Sequence, residues 1–218
     1  MTNTEIIEQT RAHVEAKFTT ESTGHDYWHT YRVWQLAKHI AASEENVDTF
    51  VLELAALLHD IADWKFHDGD EDAGPRAARK WLESLQVENA VIEHIEDIIR
   101  NVSFKGAHVE TKLATIEGRI LHDADKLDAI GAIGIARTFA YGGAHARAMH
   151  DPNQAAQLHD TFEAYKNSNS PTINHFYEKL LLLKDRMFTK TGKQLAEHRH
   201  KIMENYLEEF YAEWDGKR

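Results

Sequence analysis

The chain has 218 residues, and its 25 Lys and Arg against 36 Asp and Glu give a net charge of −11 at neutral pH. That charge excludes a general duplex-nucleic-acid binder, which needs a basic face against the phosphates, while leaving room for a local basic pocket. Cysteine is absent, so disulfides, thiolate metal sites and cysteine nucleophiles are excluded.

A 42% hydrophobic and 28% charged composition fits a globular chain with a sizeable core, and the length suits a single domain over 1–218. The N-terminal MTNTEIIEQTRAHVEAKF scatters charges where a signal peptide needs an apolar run. No run of about 18 apolar residues occurs, so no membrane span is expected and the composition points to the cytoplasm. Three prolines suit long helices, and 15 histidines are an unusually large supply of the commonest metal ligand.

The predicted elements are helical throughout. Residues 4–18 place Ile6, Ile7, Val14 and Phe18 at helical spacing, and 28–42 do the same with Trp28, Tyr31, Val33, Leu36 and Ile40. Residues 47–62, VDTFVLELAALLHDIA, are apolar almost all round, as a helix in the middle of a core must be. The polar stretch HDGDEDAGP reads as a loop, with Gly69, Gly74 and Pro75 as breakers. Helices follow over 76–86 and 88–101. Residues 111–141 form a second long apolar stretch. After the loop NSNSPT, Ser170 and Pro171 read as an N-cap and first-turn proline, and a terminal helical pair spans about 172–214. The pattern predicts an all-α bundle of eight to ten helices, with no strand alternation, repeat or linker.

His-Asp occurs six times, at 25, 59, 67, 122, 150 and 159. The copies at 67, 150 and 159 lie in polar sequence and are expected at the surface. His59-Asp60 ends the apolar run FVLELAALL, where a carboxylate is costly unless hydrogen bonds, an ion pair or a cation compensates it. Asp125 sits in a comparable place, within LHDADKLDAIG, and His29 lies among the apolar residues of GHDYWHTYRV. Two imidazoles and two carboxylates form a mixed nitrogen and oxygen set. Such a set suits Mn²⁺, Fe²⁺, Co²⁺, Ni²⁺ or Mg²⁺, with positions left open, better than a closed structural zinc site.

The order H…HD…D, with GHDYWHTYRV, LAALLHDIAD, RNVSFKG, HDADKLDAIGAIGIAR and the tail from HFYEKLLLLKDRM onward, resembles the HD-domain metal-dependent phosphohydrolase superfamily, in particular a group of small bacterial hydrolases. The resemblance spans nearly the whole chain, with a motif core over about 25–140. It implies an all-α fold, a divalent metal held by His29, His59, Asp60 and Asp125, and hydrolysis of a small phosphorylated substrate, expected to be a nucleotide. The Glu-Asp pair that follows HD in guanosine tetraphosphate hydrolases is missing, since Ile61-Ala62-Asp63-Trp64 stand there. Small HD nucleotidases often carry Glu three residues after the motif Asp, and this chain has Asp63.

Asp63 would share the face of His59 and Asp60, either orienting His59 or taking a proton from the attacking water. Arg32, three residues past His29, and Lys126, beside Asp125, are candidate phosphate partners, with Lys105 and Arg137 behind them. His25, His94 and His122 are possible neighbours of the pocket, and Asp128 is read as orienting a nearby group. A calcium loop over Asp123, Asp125 and Asp128 fails, because Asp128 stands where the EF-hand needs glycine. A metal pocket that senses a nucleotide without cleaving it, and a two-iron oxygen-activating site, stay open as alternatives.

Overall fold

A computed structural model describes residues 1–18, 26–62, 70, 72–102, 113–158 and 170–218. Among the described residues there are nine α-helices, one 3₁₀ segment and no strand, which is the all-α architecture expected. No helix among them is long and apolar enough to cross a membrane. The described residues pack as two compact units, the first running to Ala124 and the second from Asp125 to Arg218.

The first unit holds α1 (Asn3–Lys17), α2 (Tyr27–Ala41), α3 (Thr49–Leu58), α4 (Ala73–Ser84), α5 (Asn89–Val102) and the larger part of α6 (Ile116–Asp128). Side chains start three of these helices. Thr2 and Glu5 form a reciprocal capping box on α1, Asp26 accepts from the His29 amide, and Asp48 accepts from the amides of Phe50 and Val51. Helix α3 packs against α1, α2 and α5, and its residues Leu54 to Leu58 are fully buried, as its all-round apolar pattern requires. Its first turn is tied to α6, because the Asp48 amide donates to Glu117 Oε1 at 2.8 Å. Helix α5 turns a single stripe inward (Ile92, Ile95, Ile98, Ile99 and Val102).

Two boundaries differ from the sequence reading. Helix α3 ends at Leu58, so His59 is its C-cap and His59–Ala62 form a turn. Helix α4 starts at Ala73, which places Gly74 and Pro75 inside its first turn. Proline costs nothing there, since that N–H has no intrahelical partner.

The second unit holds the last turn of α6, α7 (Gly131–Ala144), α8 (Asn174–Glu178), a 3₁₀ segment (Leu180–Arg186) and α9 (Lys190–Trp214). The stretch 111–141 is thus two helices, broken at Ala129-Ile130. Gly131 follows at φ +76, and a Cβ there would lie 2.9 Å from Arg199 Cγ. The region 172–187 is also divided. Leu180 and Leu183, three residues apart and both buried, share one side of the three-residue turn. Ser170 is not an N-cap: its hydroxyl donates to Glu178 Oε1, and α8 begins without a side-chain cap. Phe139, Phe176, Tyr206 and Phe210 form an aromatic cluster from α7, α8 and α9, with Phe176 fully buried. His150, expected at the surface, stands edge-on to Phe210, Tyr211 and Trp214.

Candidate metal centre

Three helices supply the donors. Helix α2 carries His29 one turn past its Asp26 cap, with its side chain 2% exposed. Helix α3 delivers His59 at its C-cap and Asp60 directly after it. Helix α6, anchored in the first unit through residues 116–124, delivers Asp125 near its end. One donor atom from each of His29, His59 and Asp125 lies within 4.8 Å of the others. Asp60 Oδ2 is 3.4 Å from His29 Nε2 and 3.5 Å from His59 Nε2, so it faces both imidazoles. The rings of His29 and His59 meet edge to face with centroids 5.4 Å apart.

Local structure sets the tautomer of His59. Its Nδ1 lies 2.8 Å from the Ala56 carbonyl oxygen, which can only accept, so Nδ1 carries the proton. In the neutral ring that leaves the lone pair on Nε2, which is buried, has no hydrogen-bond partner and faces the Asp60 carboxylate. A buried acceptor without a donor is costly in a folded protein. A divalent cation removes that cost, because a neutral imidazole oriented by a carbonyl is a standard metal-ligand arrangement. The donor chemistry therefore fits a divalent metal.

The carboxylates are less buried than the sequence suggested. The Asp60 and Asp125 side chains are 15% and 25% exposed, whereas the two imidazoles are almost fully covered. The acids thus line the open side of the group. Lys126 is buried and its Nζ donates to Asp125 Oδ2 at 2.9 Å. Arg32 is half-buried on α2, one turn past His29. Asp63, Lys105, His25 and the His-Asp pairs at 67 and 159 lie outside the described residues.

Other candidates have contacts of their own. His94 Nε2 is 3.6 Å from Glu117 at the start of α6, about 12 Å along that helix from Asp125. His122 Nδ1 is 3.3 Å from Asp123 Oδ1. Arg137 donates to the buried Asp128 carboxylate at 2.6 Å. Sequence reasoning missed Glu117, which ties α6 to α3, and Arg199, which donates to the Leu127 carbonyl.

Residues 27–130 match the model of the HD domain. The chain is 35% identical to the Bacillus subtilis protein YpgQ over 211 residues, covering 96% of this chain and 94% of that one. Among solved structures it is similar to an HD-superfamily hydrolase from Bacillus thuringiensis, at 42% identity and a TM-score of 0.77, covering 98% and 99% of the two chains. It is similar also to YpgQ in complex with ADP, at 33% identity and a TM-score of 0.74, covering 95% and 97%. The fold, the His/His/Asp group and these likenesses define an HD-domain protein with a group able to hold a divalent metal. The chain belongs to the HD-domain phosphohydrolase superfamily.

Proposed function

We propose that the protein is a divalent-metal-dependent phosphohydrolase acting on a nucleotide, with His29, His59, Asp60 and Asp125 as the metal ligands. The observation that carries this reading is the buried Nε2 of His59, without a hydrogen-bond partner and with donors of His29 and Asp125 inside a 4.8 Å group. Two imidazoles and two carboxylates suit a six-coordinate Mn²⁺, Fe²⁺, Co²⁺, Ni²⁺ or Mg²⁺ and leave positions vacant. A cation there supplies Lewis acidity toward a phosphoryl oxygen and a lowered pKa for a coordinated water.

The chain's own residues do the rest. His29, in the first turn of α2, and His59, at the C-cap of α3, would bring the imidazole donors. Asp60 and Asp125 add the negative charge that holds a dication. Lys126, clamped on Asp125, places a positive charge where negative charge builds on the phosphoryl group. Arg32 offers a guanidinium from the neighbouring turn of α2. Asp63, four residues after His59 in sequence, receives the proton of the attacking water or orients His59. A nucleotide is favoured as substrate because a relative of similar length binds ADP.

The test combines elemental analysis of the purified protein with a phosphate and pyrophosphate release screen over nucleoside mono-, di- and triphosphates in Mn²⁺. Stoichiometric metal and release from at least one nucleotide are expected, with both lost in His59→Ala. Nucleotide binding without release would replace the hydrolase by a sensor. Full activity in His59→Ala would reject the ligand assignment.

A further inference from the structure

The last turn of α6 carries Asp125 and Lys126 at one end and an anchor at the other. The last carbonyls of a helix lack intrahelical partners and form its negative pole, so this end must be held from outside. Main-chain bonds hold part of it, from Ala129 N to Lys126 O and from Ile130 N to Leu127 O, both at 3.2 Å. Two arginines hold the rest. Arg199, from α9, donates through Nη1 to the Leu127 carbonyl. Arg137, from α7, donates to the Asp128 carboxylate, which is 1% exposed. The stem of Arg199 lies along Gly131, where a Cβ would be 2.9 Å from Arg199 Cγ, so glycine makes the approach possible. Burial pulls the Arg199 guanidinium below its usual range, and Asp128 opposes that pull.

These contacts converge on residues 127 and 128, two and three positions after Asp125. A helix end without such anchors frays, and fraying by one turn would release the Asp125 carboxylate from its place. From this convergence we infer that Arg199 is a positioning residue for the metal centre, acting through the Leu127 carbonyl to fix the direction of Asp125 and its partner Lys126. The inference rests on the ligand reading above. It assigns to the C-terminal helix, far from the motif core in sequence, a part in metal affinity.

The experiment compares wild type, Arg199→Met and Arg199→Lys as full-length chains. Mn²⁺ affinity is measured by calorimetry, the visible absorption of the Co²⁺ form reports ligand geometry, and circular dichroism reports folding. Methionine keeps an apolar stem over Gly131 but has no donor, whereas lysine keeps a donor and the charge. Arg199→Met is expected to weaken Mn²⁺ binding about tenfold or more and to alter the Co²⁺ spectrum, with helicity unchanged. Arg199→Lys should stay within about threefold of wild type, the margin left for one retained hydrogen bond.

Equal affinity in Arg199→Met and wild type overturns the inference. So does equal loss in the Met and Lys variants, which would show that a donor and a positive charge at this position do not hold the metal centre. If Arg199→Met does not fold, Arg199→Gln takes its place, since its amide falls short of the Leu127 carbonyl. If neither folds, the residue is structural and the inference is overturned. A wild type that binds no divalent cation is a different result, because it brings down the ligand reading itself.

Discussion

The imidazole of His59 is aimed by one carbonyl, that of Ala56, three residues upstream in the same helix. Because α3 stops at Leu58, that carbonyl is free to accept from Nδ1 and Nε2 is turned toward the acids. His59→Gln is expected to abolish stoichiometric Mn²⁺ binding, and Asp125→Asn to weaken it about 10–100-fold, both read by calorimetry. Lys126→Met should behave in the opposite sense. Losing the cation at 2.9 Å leaves Asp125 more available to a metal, so affinity holds or rises while kcat falls about tenfold or more. Weakened metal binding in that variant would show that Lys126 serves to hold Asp125 in place. Residue types at the centre were legible because a carboxylate at the end of an apolar run needs compensation. Arg199 was not legible: its partner is 72 positions away, and nothing in AEHRHKIM separates it from a surface arginine.

His175 shows how one buried group shapes acid sensitivity. Burial, aided by the charges of Lys179 and Arg147, holds its imidazole down at about 3, against an ordinary 6.5. Between those values the unfolded chain binds the extra proton. Its contribution is therefore fully present above pH 6.5 and lost as the pH falls toward 3. His175→Gln should lose less stability than wild type between pH 6.5 and 4, as followed by urea midpoints. Parallel curves would count against it.

Among elements, the α6–α7 corner is where periodicity left a boundary unplaced. Both helices are apolar and only Ala129-Ile130 separates them, so 111–141 reads as one stretch. The break is enforced by tertiary contact, with Gly131 at positive φ beneath Arg199. Two glycines of α7 make a matched test. A Cβ at Gly134 would lie 2.2 Å from the Ala129 carbonyl oxygen, a main-chain atom that cannot easily move, whereas Gly143 has nothing within 4 Å. Gly134→Ala should destabilise by about 1–3 kcal/mol despite alanine's helix propensity, and Gly143→Ala should stabilise by about 0.5–1 kcal/mol. Chemical denaturation of the two variants checks both signs. The other helices were legible to within a few residues, because caps such as Thr2, Asp26 and Asp48 and apolar stripes such as that of α5 are local signals. The 3₁₀ segment was not, since LLLLKDR fits an α-helix equally well and only the burial of Leu180 and Leu183 distinguishes the tighter turn.

For the whole molecule, the all-α class followed from helical periodicity with almost no proline, while the division at Ala124/Asp125 left no trace in composition. The family match over 27–130 crosses that division. If the centre holds a cation only when folded, metal and stability are linked by mass action. Mn²⁺ at a hundred times its Kd should add about 2.7 kcal/mol, or about 5–10 °C in Tm. The shift should vanish in His59→Gln, and scanning calorimetry with and without Mn²⁺ measures it.

Helix α2 has one more property of practical use. On either side of His29 it carries two indoles in unlike surroundings: Trp28 is 59% exposed, while Trp34 is buried and donates to Glu53. A paramagnetic ion such as Co²⁺ seated at His29 will quench nearby indole emission, so the polypeptide contains its own fluorescent gauge of occupancy. Titrations can then be followed optically, with no label attached and no substrate in hand.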